Sequence, residues 1–349
     1  MDGVPLFRAG GLSPYFEALD AIGVAVDRHL ERAGLPRRHR LQPDALIVYQ
    51  QGVDFMAGAH RAMDLRTLPE TLIQHSRLEC LGSWGHALGR TGTLGALLGT
   101  SARTSWMFSS GEKFWLEDRR DDILWCHRFD PRLEMCDGEG IVLQLLSYMV
   151  NTVRSVLGAT WAPREITVAV PLSVSLERLG IDAPARVSGV TSLAIRRNVL
   201  ATPTPSLVAL AADDGGRALE CLSANAPASD LVGSVRQALH ALGYLEIGAL
   251  AEITGLPVRT LQRRLSEAGV SLRFLVQEVQ LAEALRLMQD PARKLVDIAF
   301  ELGFSDPAHF TRAFRRWTGV SPRTFRNANG LGRAGSGAEW PTPAPSERP

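Results

Sequence analysis

A chain of 349 residues has room for two or three domains, and its 45% hydrophobic content is enough for sizeable cores. The formal charge of +1 argues against a binder that works through bulk attraction to polyanions. No apolar run approaches the roughly 20 residues of a membrane helix, and Met1 to Pro5 lack a charged and apolar leader pattern, so a cytoplasmic protein with no membrane partner is expected.

Pro14 to Gly34 reads as an amphipathic helix with Phe16, Leu19, Ile22, Val26 and Leu30 on one face. Asp44 to Ala62 reads as a second, carrying Leu46, Ile47, Phe55 and Met56. Glu79 to Gly99 is apolar and dotted with glycine. Ala102–Phe108, Lys113–Asp118 and Asp121–Phe129 have strand character, with turn residues at Ser110-Gly111. Glu139 to Leu157 is a strong helix lined by Ile141, Val142, Leu145, Leu146, Met149, Val153 and Val156. Trp161 to Pro171 reads as a strand entered through a proline turn, and Val187 to Leu200 adds another. The pattern predicts an α+β domain in which helices cover a small antiparallel sheet.

Little in this half suggests catalysis. A phosphate loop ending at Gly89-Arg90-Thr91 would need glycine where Trp84 stands and lysine where Arg90 stands. His60, His75, His86 and His127 share no spacing. Cys80, Cys126, Cys136 and Cys221 form no C-x-x-C pair, so neither a metal site nor a cofactor is expected and buried free thiols are the default. Redox pairing of Cys126 with Cys136 stays open. Trp84, Trp106, Phe108, Trp115 and Trp125 are either ordinary core or the lining of a pocket, since alternating strand positions face one side.

The carboxyl half contains one pattern written twice. Ala251-Glu252-Ile253-Thr254-Gly255-Leu256 leads to Leu261-Gln262-Arg263-Arg264-Leu265; Ala299 to Phe304 leads to Phe310-Thr311-Arg312-Ala313-Phe314, with one extra residue in the turn. This is the grammar of a helix-turn-helix: a small residue at the crossing, and a glycine for the positive φ of the sharp turn. Leu250, Ile253, Leu261 and Leu265 close one core; Ile298, Leu302, Phe310 and Phe314 close the other. Pro257 opens the second helix of the first unit, and Asp306-Pro307 supplies an N-cap and an N1 proline for that of the second. Ser271 to Gln289 reads as a linker helix capped by Ser271. Recognition helices held about 34 Å apart would enter successive major grooves.

The exposed sides of both second helices are basic. Residues three and four apart share a face, so Arg259, Gln262 and Arg263 point into one groove, as do Ala308, His309 and Arg312. Arginine suits guanine and glutamine suits adenine; Arg264, Arg315 and Arg316 suit phosphate. Cations only slightly outnumber acids between residues 243 and 327, so salt dependence should reflect a few placed contacts.

These paired units, the linker helix and the ending Gly303-Phe304 … Phe310-x-Arg312-x-Phe314 … Thr318-Gly319 … Ser321-Pro322 … Phe325-Arg326 resemble the AraC/XylS family of bacterial transcription regulators. Pro307 and Ala308 depart from the polar residues many members carry. The amino half is similar, through Leu81-Gly82-Ser83-Trp84-Gly85, Thr93 to Leu98 and the Trp161-x-Pro163-Arg164-x-Ile166 strand entry, to the arabinose-binding-like sensor of one branch of that family. The resemblance implies an effector-sensing and dimerising domain over 1–222, a linker at 223–229 and an all-α double helix-turn-helix DNA-binding domain over 230–327; residues 328–349, rich in Gly, Pro, Ala and Ser, read as a disordered tail. It also implies double-stranded promoter DNA, RNA polymerase, an unidentified small-molecule effector and a second copy of the chain as partners, with activation as the mode. A constitutive dimeric regulator, or a DNA-modifying enzyme fused to a DNA-binding module, are the alternatives.

Overall fold

The computed structural model describes residues 3–63, 68–130, 138–205, 214–242, 247–254 and 256–328. The chain divides into two compact units, residues 1–241 and 242–349.

The first unit begins with strand β1 (Leu6–Arg8) and helices α1 (Ser13–Ala21) and α2 (Val26–Arg32). One continuous helix was expected over this stretch, but Gly23 sits at φ 73° and breaks it in two. Strand β2 (Leu46–Val48) pairs with β1 through Leu6↔Val48 and precedes α3 (Tyr49–Ala62). The expected helix over Asp44–Ala62 therefore starts later, because Leu46 to Val48 finds a strand partner in the distant amino terminus. Then come α4 (Leu68–His75), a 3-10 turn (Leu78–Leu81), α5 (Gly82–Gly89) and α6 (Leu94–Phe108). Ala102–Phe108 is thus the end of a helix and not a strand. Thr93 starts that helix by accepting the Ala96 N–H at 3.2 Å, and its packing overrides the β preference of Trp106 and Phe108.

The hairpin of β3 (Glu112–Asp118) and β4 (Asp122–Phe129) follows, where strand character was read over Lys113–Asp118 and Asp121–Phe129. Next come α7 (Gly138–Leu157), β5 (Ile166–Val168), β6 (Ala185–Val187) and β7 (Thr191–Arg196). The predicted strand over Trp161–Pro171 shortens to β5, and that over Val187–Leu200 shortens to β7 and a 3-10 turn at Arg197–Val199. The sheet order is β3-β4-β7-β5-β6. All neighbours run antiparallel except β5 and β6, which are parallel, so the sheet is mixed.

Helix α7 contacts α3, α4 and β7. It is twenty residues long and apolar enough to cross a membrane by length and composition, contrary to the expectation that no such run exists. Its apolar window is 67% buried inside the protein, where Asn151 donates to the Ile73 and Ser76 carbonyls at 2.6 and 2.8 Å. The core helix of a globular domain has this composition too.

Helices α8 (Asp214–Ala224) and α9 (Leu231–Leu242) complete the unit. The division between the units falls between Ala241 and Leu242, at the last residue of α9. The Val4 N–H donates to Ser234 Oγ at 2.8 Å and Arg38 donates to the Ala241 carbonyl at 3.2 Å, tying α9 to the amino-terminal segments.

The second unit is helical among its described residues: α10 (Ile247–Thr254), α11 (Val258–Glu267), α12 (Leu272–Met288), α13 (Leu295–Glu301), α14 (Pro307–Thr318) and α15 (Pro322–Ala328). Leu250, Leu261, Leu265 and Leu275 are buried in its first half. In its second half, Leu287 and Met288 of α12 pack with Ile298, Ala299, Leu302, Phe310 and Phe314. The crossing residues Ala251 and Ala299 are buried, and Gly303 takes φ 82° as the turn requires. Gly255 and the tail beyond residue 328 lie outside the described residues, as does the Ile253 side chain.

Candidate nucleic-acid interface

Helix α11 begins after Pro257, which stands at the cap position in extended conformation and so precedes the first helical residue. Leu261 and Leu265 turn inward and are buried, which sends Arg259, Gln262 and Arg263 outward on the opposite face, where all three are exposed. Arg264 is half-buried at the edge of that face. Arg263 is tied along the helix to Glu267, an exposed i, i+4 ion pair whose side chains are 62% and 57% accessible. No ion pair involves Arg259 among the described residues.

Helix α14 is built the same way with better caps. The Asp306 side chain accepts the Ala308 N–H at 2.9 Å, Pro307 occupies the first turn, and Gly319 closes the helix at φ 81° with its N–H on the Arg315 carbonyl at 2.8 Å. Phe310, Ala313 and Phe314 are buried; His309, Arg312, Arg315 and Arg316 are exposed. These four form no ion pair among the described residues, so the three arginine charges are available to an anionic partner. Arg315 and Arg316 lie in the last turn, where cations offset the helix dipole as well.

Linker helix α12 is capped by Ser271, whose hydroxyl accepts the Phe274 N–H at 3.2 Å. Its 17 residues span about 26 Å at 1.5 Å per residue. Gln280, on the same helix, donates to the Leu302 carbonyl at 3.1 Å and fastens the linker to the second helix pair.

The five aromatics considered for an effector pocket do not come together. Trp84 and Phe108 meet at a ring distance of 5.0 Å, and the Trp84 indole N–H donates to Thr104 Oγ1 at 2.9 Å. Trp106 points outward, 47% exposed. Trp115 is paired with Cys126 across the hairpin, while Trp125 is paired with Leu116, so the two tryptophans face opposite sides of the sheet. Trp115 packs with Leu124, Cys126 and Ala194, whereas Trp125 stacks on Phe114 at 5.6 Å. None of the five lines the open cleft of about 840 Å³ in this unit, whose walls carry Arg8, Arg38 and Arg90. These arginines escaped the sequence reading because they are far apart in the chain and share no motif.

Cys80, Cys126 and Cys221 are free thiols, and Cys136 lies outside the described residues. Burial pushes the Cys126 thiol up to about 12, so it carries no thiolate at neutral pH.

Comparison with known proteins gives two family matches. Residues 250–328 match the model described as a helix-turn-helix domain, and residues 23–179 match the arabinose-binding domain at the amino terminus of the AraC transcription regulator. The chain is 33% identical over 110 residues to the HTH-type transcriptional regulator VirS of Mycobacterium tuberculosis, covering 32% of each protein. It is 34% identical over 105 residues to the HTH-type transcriptional activator RhaS of Pectobacterium carotovorum, covering 27% of this chain and 38% of that one. These alignments span about a third of the relatives' own length. The crystal structure of the transcriptional regulator CdpR from Pseudomonas aeruginosa aligns over 90% of this chain and 96% of its own, at 17% identity and a TM-score of 0.37.

Proposed function

We propose that the chain is a member of the AraC family of transcription regulators, whose two models match residues 23–179 and 250–328, and that it is a sequence-specific DNA-binding activator governed by a small molecule held in its first unit. The observation that carries this reading is the matched pair of helices α11 and α14. Each buries one apolar face and presents arginines and a polar neighbour on the other. Arg259, Gln262 and Arg263 read base edges from the first helix, and His309 and Arg312 from the second. Arg264, Arg315 and Arg316 hold phosphate and fix register. The linker α12 sets the separation, so that both helices enter the major groove on one side of the duplex.

The first unit senses the effector and dimerises, and the bound state presents the DNA-binding unit so that RNA polymerase is recruited in the cytoplasm. Activation follows the printed function of RhaS. Control by the effector requires that it bind one arrangement of the chain more tightly than the other.

A binding assay of the full chain on its own upstream DNA, at fixed salt and against a scrambled duplex, tests this. The expected outcome is a protected site on the upstream DNA at protein concentrations that leave the scrambled duplex unbound. Equal affinity for every duplex tried, with a salt slope that accounts for all of the binding, overturns it.

A further inference from the structure

The cleft of about 840 Å³ in the first unit is electrically lopsided. Its walls bring together Arg8, Arg38 and Arg90 with a single carboxylate, Asp44. They come from β1, the 3-10 turn at Arg37–Leu41 and the end of α5, while α8 and α9 close the far side. No pair of these arginines is close in sequence.

Asp44 offsets one of the three charges, since it favours the Arg8 cation electrostatically, and the cleft keeps a net positive excess. The Asp44 carboxylate is engaged at the start of α5, accepting the Ser83 N–H at 2.9 Å and the Ser83 hydroxyl at 2.5 Å. Arg8 is only 2% exposed, yet it forms no ion pair among the described residues. Its guanidinium donates instead to four neutral carbonyls: Met107 at 2.8 Å, Asp44 at 2.6 Å, Leu222 at 3.3 Å and Asn225 at 3.0 Å. Burial lowers its pKa, but a guanidinium remains protonated. A buried cation surrounded by carbonyl oxygens keeps its net charge, and the low dielectric at the cleft floor strengthens its field.

The rim adds two more charges. Arg38 is exposed, and its one hydrogen bond among the described residues goes to the Ala241 carbonyl. Arg90 is half-buried and makes no ion pair among them. Buried His39, also in the wall, leaves its Nδ1 without a hydrogen-bond partner. Ala45, Leu46, Ala87 and Leu222 give the cleft an apolar side. A space of this size is within the range of small-molecule sites, which bury apolar area and fix orientation with a few polar groups.

We propose that this cleft is the effector site of the first unit and that its ligand is a small organic anion, a carboxylate or a phosphate monoester, held by Arg38 and Arg90 over the fixed charge of Arg8. The proposal rests on the reading of the chain as an effector-controlled regulator. It also gives the signal a route. Gln237, His240 and Ala241 of α9 line the same cleft, and α9 is the last helix of the first unit before the chain enters the DNA-binding one. An anion bridging the two rim arginines fastens α9 at its carboxyl end, where the Arg38 contact to Ala241 already sits.

The test uses the full chain at constant ionic strength, with chloride replaced by one anionic probe at a time: inorganic phosphate, glucose 6-phosphate or hexanoate; uncharged glucose added to the chloride buffer is the control. Thermal unfolding and titration calorimetry are read for each. The expected result is a rise in Tm of roughly 3–6 °C at about tenfold excess over Kd for at least one anion, with no response to glucose. A response to hexanoate alone assigns a carboxylate, and a response to glucose 6-phosphate or phosphate assigns a phosphate. In Arg38→Gln/Arg90→Gln that rise disappears while the unliganded Tm holds. The single variants give the same comparison if the double variant does not fold.

The proposal is overturned if no anion exceeds the chloride control, or if the variants keep the full shift. It is also overturned if they lose DNA affinity with no anion present, which would make the cleft a DNA-phosphate contact. Silent anion titrations beside intact sequence-specific DNA binding sink the cleft alone; a working cleft beside absent DNA specificity sinks the regulator reading.

Discussion

Replacing Arg312 by alanine removes the central cation of the second recognition face. Arg312 is exposed and has no ion-pair partner among the described residues, so no internal bond must be broken for it to reach a base. A bidentate contact to guanine is worth about 1–3 kcal/mol of discrimination. That corresponds to a loss of roughly 5- to 150-fold in specific affinity, with no compensating release elsewhere. Arg263 is different, because binding must first disrupt its exposed pair with Glu267. Such pairs are worth about 0–1 kcal/mol, so Arg263→Ala falls toward the lower end of the same range. The pair also predicts a gain: Glu267→Gln frees Arg263 and raises specific affinity by up to about fivefold. Fluorescence anisotropy on the upstream site at fixed salt, with a scrambled duplex as competitor and a melting curve for each variant, checks all three. Unchanged specific affinity in Arg312→Ala, with the fold intact, refutes the assignment of α14 as a base reader. A loss of affinity in Glu267→Gln refutes the account of Arg263.

Phe314→Ala empties a fully buried site between the rings of Phe310 and Phe325, at 5.7 and 5.5 Å; urea unfolding should show a loss of about 3–5 kcal/mol in the second unit. In Gly85→Ala the new Cβ would stand 1.8 Å from the Leu78 carbonyl oxygen, which cannot move without unwinding the preceding turn; a loss of about 3 kcal/mol or more is expected in the first unit, read by the same method. Burial, reinforced by the charge of Arg38, holds the His39 imidazole down to about 4. The unfolded chain takes up that proton near pH ~6.5. The contribution of His39 is therefore intact above that pH and is lost as pH falls toward 4, with a slope of at most about 1.4 kcal/mol per pH unit. Unfolding free energies measured between these limits should flatten in His39→Gln, and an unchanged slope would contradict the buried, neutral imidazole.

The carboxyl half was legible because its information is local. Ala299, Gly303, Phe310 and Phe314 lie within a short stretch of chain, on α13, α14 and the turn between them, and crossing, turn and core follow from their spacing. Asp306-Pro307 announced the start of α14, and Ser271 that of α12, because capping chemistry is written in adjacent residues. The amino half was legible only where an element satisfies itself, as α7 and the β3-β4 hairpin do. Leu46–Val48 could not be recognised as a strand, since its partner is Leu6–Arg8. Ala102–Phe108 looked like a strand because Trp, Met and Phe favour one, while the signal that decides its helical state is Thr93 at the other end. The aromatics drew attention as a pocket through their residue type, yet strand alternation separates Trp115 from Trp125. The basic cleft was invisible for the opposite reason: Arg8, Arg38, Arg90 and α9 meet only after folding.

The most direct test of the central claim is selection of bound duplexes from a random pool by the full chain at fixed salt, followed by sequencing of the retained DNA. The account predicts enrichment of one motif with two conserved segments about 10 base pairs apart, one for each recognition helix, and loss of the second segment in Arg312→Ala. A retained pool as random as the input, under conditions where DNA is bound, would contradict it.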